Sequence, residues 1–158
     1  HGTAPKIFSP NEAMTRGMLV TVLYRLADKP ETLALSSFAD VAQEKYYAQA
    51  ISWAYENGIV GGVTQTSFAP EEKVTREQLA AILYRFAKTQ GYGAGEMAEL
   101  TGFADYSRIS GYALEALSWA NGAGLVSGRS ETELAPQGQA TRAEVAAILH
   151  RFSEHTAK

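Results

Sequence analysis

The feature that most constrains this chain is that it repeats itself. Phe68-Ala69-Pro70, four residues, then Thr75-Arg76 recurs as Leu134-Ala135-Pro136 before Thr141-Arg142 and as Phe8-Ser9-Pro10 before Thr15-Arg16. In every copy the Phe or Leu stands seven residues ahead of the Thr. After each Arg comes an apolar ladder at offsets of three, four and seven: Leu19, Val22, Leu23, Leu26; Leu79, Ile82, Leu83, Phe86; Val145, Ile148, Leu149, Phe152. Such spacing lays one stripe along a helix face. A second block occurs twice. Phe38-Ala39-Asp40 leads to Trp53-Ala54 and Gly58-Ile59-Val60, and Phe103-Ala104-Asp105 leads to Trp119-Ala120 and Gly124-Leu125-Val126. The two tryptophans lie 66 residues apart, as do Thr75 and Thr141.

One unit is therefore Phe-x-Asp, a helix A carrying the Trp, a Gly stop, a loop with Pro, and a helix B opened by Thr-Arg. The expected division is a partial unit over 1–30 (second half only) and whole units over 36–90 and 101–154, all in one compact module. Helix A of the first unit is expected to be missing from the sequence. Helices B are expected over about 16–27, 76–88 and 142–154, and helices A over about 45–57 and 111–122, with Gly58 left-handed at the first stop. Gly91-Tyr92-Gly93-Ala94-Gly95 reads as a connector, because no strand signal precedes it as a phosphate loop would need. Strand alternation is weak throughout. The predicted fold is all-α, its units burying their stripes against one another.

Composition removes several function classes. With 158 residues, 46% hydrophobic and 20% charged, the chain is globular. No apolar run approaches the roughly 18 residues of a membrane span. No cysteine is present, so disulfides and thiol nucleophiles are out. A net charge of −3 speaks against a nucleic-acid surface. Of three histidines, His1 and His155 sit near the ends, which argues against a triad or a histidine-rich metal site. No cofactor or metal is expected.

Thr15, Thr75 and Thr141 read as N-caps, each worth about 1 kcal/mol. Thr141-Arg142-Ala143-Glu144 is a full capping box, Thr75 with Gln78 its amide version, and Thr15 with Met18 lacks the reciprocal half. Arg16, Arg76 and Arg142 are harder to explain, since a cation at the first helical position costs about 0.3–1 kcal/mol against the dipole. Two readings stay open: a guanidinium beside free helix N–H groups receives a carboxylate or phosphate, or the arginine pairs with Asp40 or Asp105. Arg25, Arg85 and Arg151 read as last-turn cations with a structural role. Trp53 and Trp119 are either sugar platforms or core; Asp40 and Asp105 either bind a sugar hydroxyl or cap a turn. His150, at the repeat position of Tyr24 and Tyr84, reads as a packing variant.

Thr141-Arg142-Ala143-Glu144, Phe68-Ala69-Pro70 and Trp53-Ala54 with Gly58-Ile59-Val60-Gly61-Gly62 resemble the S-layer homology (SLH) family, over nearly the whole chain. The resemblance implies a pseudo-threefold assembly of helix–loop–helix repeats. Its inter-repeat grooves would bind pyruvylated secondary cell-wall polysaccharide and so anchor a surface protein, extracellularly, on the bacterial cell wall, with S-layer or parent-protein neighbours. By that likeness Arg16, Arg76 and Arg142 face the pyruvyl carboxylate, beside Thr75 and Thr141, while Gly62 and Gly128 let the sugar approach the backbone. Thr15-Arg16-Gly17-Met18 and Thr75-Arg76-Glu77-Gln78 lack the motif's final Glu. Two competent grooves and one defective one are expected. The rival readings are a helical protein-interaction module and a fragment of a carbohydrate-active surface enzyme; repetition favours multivalent binding over catalysis, so no enzyme activity is expected. Replacing Arg76 or Arg142 by Ala is expected to weaken wall binding while leaving stability level or slightly raised, because the dipole conflict is relieved.

Overall fold

The computed structural model describes residues 12–31, 38–91 and 97–156. Gly2, Phe8, Pro10 and connector residues 92–95 lie outside them. Among the described residues there are five α-helices: α1 Arg16–Leu26, α2 Ala48–Glu56, α3 Arg76–Thr89, α4 Leu114–Gly122 and α5 Arg142–Thr156. Short 3-10 turns at Tyr106–Arg108 and Gly111–Ala113 precede α4. Extended pairing among these residues is confined to isolated bridges, Ala13 with Thr141, Thr15 with Lys73 and Thr75 with Gln139. The class is all-α, as the periodicity predicts.

Helices α1, α3 and α5 begin at the expected arginine because their caps are local chemistry. Thr15 and Thr75 accept from the amides of Met18 and Gln78, and Gln78 returns a bond to the Thr75 amide. Thr141 and Glu144 close the same box. Helices α2 and α4 start three residues later than expected. Their first residues follow Tyr47 and Ala113, which offer no side-chain cap, and α4 is led in by a 3-10 turn instead.

The stops obey a simpler rule. Gly58 (φ 72°) and Gly124 (φ 77°) are left-handed. Behind Gly58, the Ile59 amide donates to Ala54 O at 2.8 Å; behind Gly124, the Leu125 amide donates to Ala120 O at 2.8 Å. This is the Schellman arrangement, which glycine enters without Cβ strain. Ile59 and Leu125 then turn directly into the core.

The chain forms two compact units, Thr15–Lys73 and Val74–Lys158 with His1–Met14. In the first, α1 packs on α2, burying Leu19, Val20 and Leu23 from one and Ala50, Ile51 and Ala54 from the other. Each large aliphatic side chain so buried contributes about 1.5–3 kcal/mol. Trp53, 4% exposed, packs against Tyr24 in a tilted pair with ring centroids 5.5 Å apart. In the second unit α3 packs on α4, Trp119 is 5% exposed and meets Tyr84 at 5.2 Å, and Phe152 of α5 meets Phe86 at 5.9 Å. The helix opened by Thr-Arg in one repeat thus packs on the Trp helix of the next.

Three expectations change here. Trp53 and Trp119 are core residues with their rings covered, so neither offers a face to a sugar. His150 is not packed: its side chain is exposed and its Nε2 lies 3.2 Å from Glu154 Oε2. Because α3 runs to Thr89 and α5 to Thr156, Arg85 and Arg151 fall short of the last turn; Arg25 alone of the three remains in it.

Candidate functional site

The site is built on the loop that precedes each Thr-Arg helix. Asp40 Oδ1 accepts from the Phe68 amide (2.9 Å), and its Oδ2 accepts from the Ala69 amide and the Ser67 hydroxyl (2.8 Å each). Asp105 does the same for the amides of Leu134 and Ala135, at 2.9 and 2.8 Å. These bonds hold Ala69 (φ 61°) and Ala135 (φ 55°) in the left-handed region that an alanine avoids by roughly 1–2 kcal/mol. The Phe-x-Asp of the sequence is therefore a clamp on the Phe-Ala-Pro whose Phe lies 28 residues after Asp40, and on the Leu-Ala-Pro whose Leu lies 29 after Asp105. The hydrogen bonds of Asp40 and Asp105 go to loop amides and a hydroxyl, while Arg76 makes its ion pair with Glu144.

The clamp carboxylates hold protons weakly. Burial would raise the Asp40 pKa, but the Phe68 and Ala69 amides and the Ser67 hydroxyl outweigh it and bring it below the usual value. Asp105 is lowered in the same way, burial opposing the Leu134 and Ala135 amides. A carboxylate with a depressed folded-state pKa adds stability above its unfolded pKa of about 4, and that stability is lost as pH falls through the folded value. Asp40→Asn is thus expected to lower the melting temperature at pH 7 and to flatten its decline between about pH 5 and 3, measured by circular dichroism.

The clamped loop turns its carbonyls toward the arginine. Arg16 Nε donates to Phe68 O and its Nη2 to Gly61 O, both at 3.0 Å, with the guanidinium 4.4 Å from the Phe68 ring centroid. Arg76 repeats this with Nε to Leu134 O at 3.0 Å and Nη2 to Ser127 O, and adds Nη1 to Glu144 Oε2 at 2.9 Å. Loop carbonyls thus resolve the dipole conflict. They also take the helix amides: Arg16 and Gly17 donate to Glu72 O and Pro70 O, and Arg76 and Glu77 to Gly138 O and Pro136 O. With the threonine hydroxyl on the third amide, the helix starts of α1 and α3 have no free N–H groups for an anion. Arg142 differs, being partly exposed and 3.3 Å from Glu12 Oε1.

The departure at Gly17 has a packing cause. A Cβ there would lie 2.8 Å from Tyr47 Cδ2 and 3.1 Å from Pro70 O. In the other unit the same repeat position is Glu77, a 3% exposed carboxylate. It accepts from the Ser110 amide (2.9 Å), the Ser110 hydroxyl (2.6 Å) and Gln137 Nε2 (3.1 Å).

Beside Arg76 lies a groove of about 500 Å³, within the second unit. Arg76, Ser127, Gly128, Arg129, Glu144 and Arg151 are among its lining. Glu144 Oε2 receives Arg76 Nη1 and Arg129 Nε, and Oε1 receives Arg129 Nη2 (2.9 Å) and the Thr141 amide (3.0 Å). Burial would raise the Glu144 pKa, but Arg129, the Thr141 amide and Arg76 together pull it below the usual value. Burial pulls the Arg76 guanidinium down, with Glu144 opposing. The Arg76 side chain is 6% exposed and that of Arg129 39%, so Arg129 is the accessible cation of the pair.

Gly128 reaches this groove, but its missing side chain serves the fold. A Cβ at Gly128 would run into Ser130 O, with Glu133 O at 2.7 Å and Phe103 Cε1 at 2.9 Å; at Gly62 it would run into Thr64 O, with Phe38 Cε1 at 2.6 Å. Of the motif residues, the groove gathers Arg76 and Gly128 directly and Thr141 through its cap with Glu144. Asp105 acts one layer away, through Leu134. Asp40, Gly62 and Arg16 form the matching clamp in the first unit. Sequence reasoning passes over Arg129 and takes Arg151 for a structural cation; Arg129 stands at the repeat position of Val63, and only its charge in place of that valine could have flagged it.

The family model for the S-layer homology domain matches residues 37–80 and 102–146, more than half of the chain, and the chain belongs to that family. Amylopullulanase of Thermoanaerobacterium thermosulfurigenes is 33% identical over 147 residues, 93% of this chain and 8% of that protein. The surface-layer 125 kDa protein of Lysinibacillus sphaericus is 31% identical over 157 residues, 98% of this chain and 13% of that protein. A cellulosome-anchoring protein of Acetivibrio thermocellus is 23% identical over 155 residues, 94% of this chain and 34% of that protein. The chain thus spans about a third or less of the length of these relatives. Family and relatives place it outside the cell, in association with the wall. Among the described residues no helix is long and apolar enough to cross a membrane.

Proposed function

We propose that the chain fastens a surface protein to the cell wall by receiving the carboxylate of a pyruvylated secondary cell-wall polysaccharide in the groove beside Arg76. The observation that carries this reading is the Arg76–Glu144–Arg129 cluster. Its two guanidiniums are already arranged around a carboxylate, at 2.9 Å on each side, in a groove where the lining holds three arginines to one acid. A ligand carboxylate settles beside Glu144 or in its place, with Arg129 making first contact and Arg76 supplying fixed positive charge from behind. Arg16 and Arg142 hold the corresponding places in the other repeats. Modest affinity at each groove becomes retention through avidity along the polymer.

The test is a pull-down of the chain on purified cell wall before and after chemical removal of pyruvyl groups. Binding is expected to be lost on removal. Undiminished binding would eliminate the carboxylate as ligand, and release of reducing sugars would favour a carbohydrate-active enzyme.

A further inference from the structure

The groove holds a third guanidinium that the reading above leaves unused. Arg151 follows Glu144 by seven residues on α5, two turns along the same face and about 10 Å away. It is exposed, and its Nη1 donates to Leu125 O at 2.9 Å. Arg76 is tied in the same manner to Ser127 O. Leu125 and Ser127 are two residues apart, a span of at most about 7 Å. Both oxygens of Glu144 are occupied by Arg76, Arg129 and the Thr141 amide. No other acidic residue lines the groove, and among the described residues no carboxylate lies within ion-pair distance of Arg151. Nor does the helix dipole explain the side chain, which stands well before the end of α5. The lining is left with two positive charges in excess.

We propose that Arg151 is a second anion position, so that the groove takes the end of an acidic glycan carrying two negative groups. One is a carboxylate at Arg76 and Arg129. The other is a carboxylate or phosphate group on the adjoining sugar, at Arg151. This rests on the carbohydrate reading and narrows its ligand from a singly to a doubly charged one.

Isothermal titration of the whole chain with four synthetic probes tests it: the methyl glycoside of a pyruvate-ketal amino sugar, and that sugar extended by a neutral sugar, a uronic acid or a sugar phosphate. The doubly charged probes are expected to bind about fivefold more tightly than the neutral extension. The uronic-acid and phosphate arms show which group is preferred. In Arg151→Gln the ratio falls to near one; in Arg151→Lys it is partly restored, and melting curves check that both variants fold. The inference is overturned if the wild-type chain shows no preference for a second charge, or if Arg151→Gln keeps the preference. If no probe binds the wild-type chain, the carbohydrate reading itself fails, and this inference with it.

Discussion

Arg76→Ala is expected to destabilise the protein by about 2–4 kcal/mol, read as a lower midpoint in urea unfolding. Relief of the dipole conflict would return only about 0.3–1 kcal/mol, so the sequence-based expectation of level stability does not survive the geometry. The substitution strips the donor from Leu134 O and Ser127 O in a buried setting and leaves Glu144 with Arg129 and the Thr141 amide. Arg129→Ala provides the contrast. Its guanidinium is 39% exposed in side-chain terms, and losing it is expected to cost less than about 1 kcal/mol. A midpoint unchanged in Arg76→Ala would mean that the carbonyls find other donors and that the arginine is free to serve a ligand. Wall binding is best tested in the Arg129 variant, where a loss of affinity is not mixed with unfolding.

Gly128→Ala is expected to cost about 2–4 kcal/mol, at the upper end of overpacking penalties. The new methyl group would press on the carbonyls of Ser130 and Glu133, and Glu133 O is fixed by the Arg129 amide at 2.9 Å. Gly62→Ala meets the same obstruction. The neighbouring glycine is a built-in control: a Cβ at Gly61 meets nothing within 4 Å, and the repeat already places Ser127 at that position. Gly61→Ala should therefore shift the midpoint by less than about 0.5 kcal/mol. Equal effects at the two positions would refute the close approach.

How much of this is legible in the sequence follows from the range of each interaction. Thr75 with Gln78 and Thr141 with Glu144 act within one helical turn, so the starts of α3 and α5 can be read to the residue. The Gly58 and Gly124 stops are equally local. Two of the three acceptors of Arg76 cannot be read, because they are backbone carbonyls more than 50 residues away and a carbonyl carries no residue-specific mark; the third, Glu144, is visible only as the capping glutamate of its own helix. Asp40 and Asp105 are visible as repeated positions, yet their work on Ala69 and Ala135 appears only once the loop closes. Arg151 looks like a terminal cation until α5 is seen to continue past it.

The pairing of α1 with α2 and of α3 with α4 sets where such modules can be joined. A graft made between 90 and 101, where the written repeats meet, would part Tyr84 from Trp119 and open an apolar seam. One made between Lys73 and Val74 keeps both helix pairs whole, so the natural cassette begins half a repeat out of phase with the motif that reveals it.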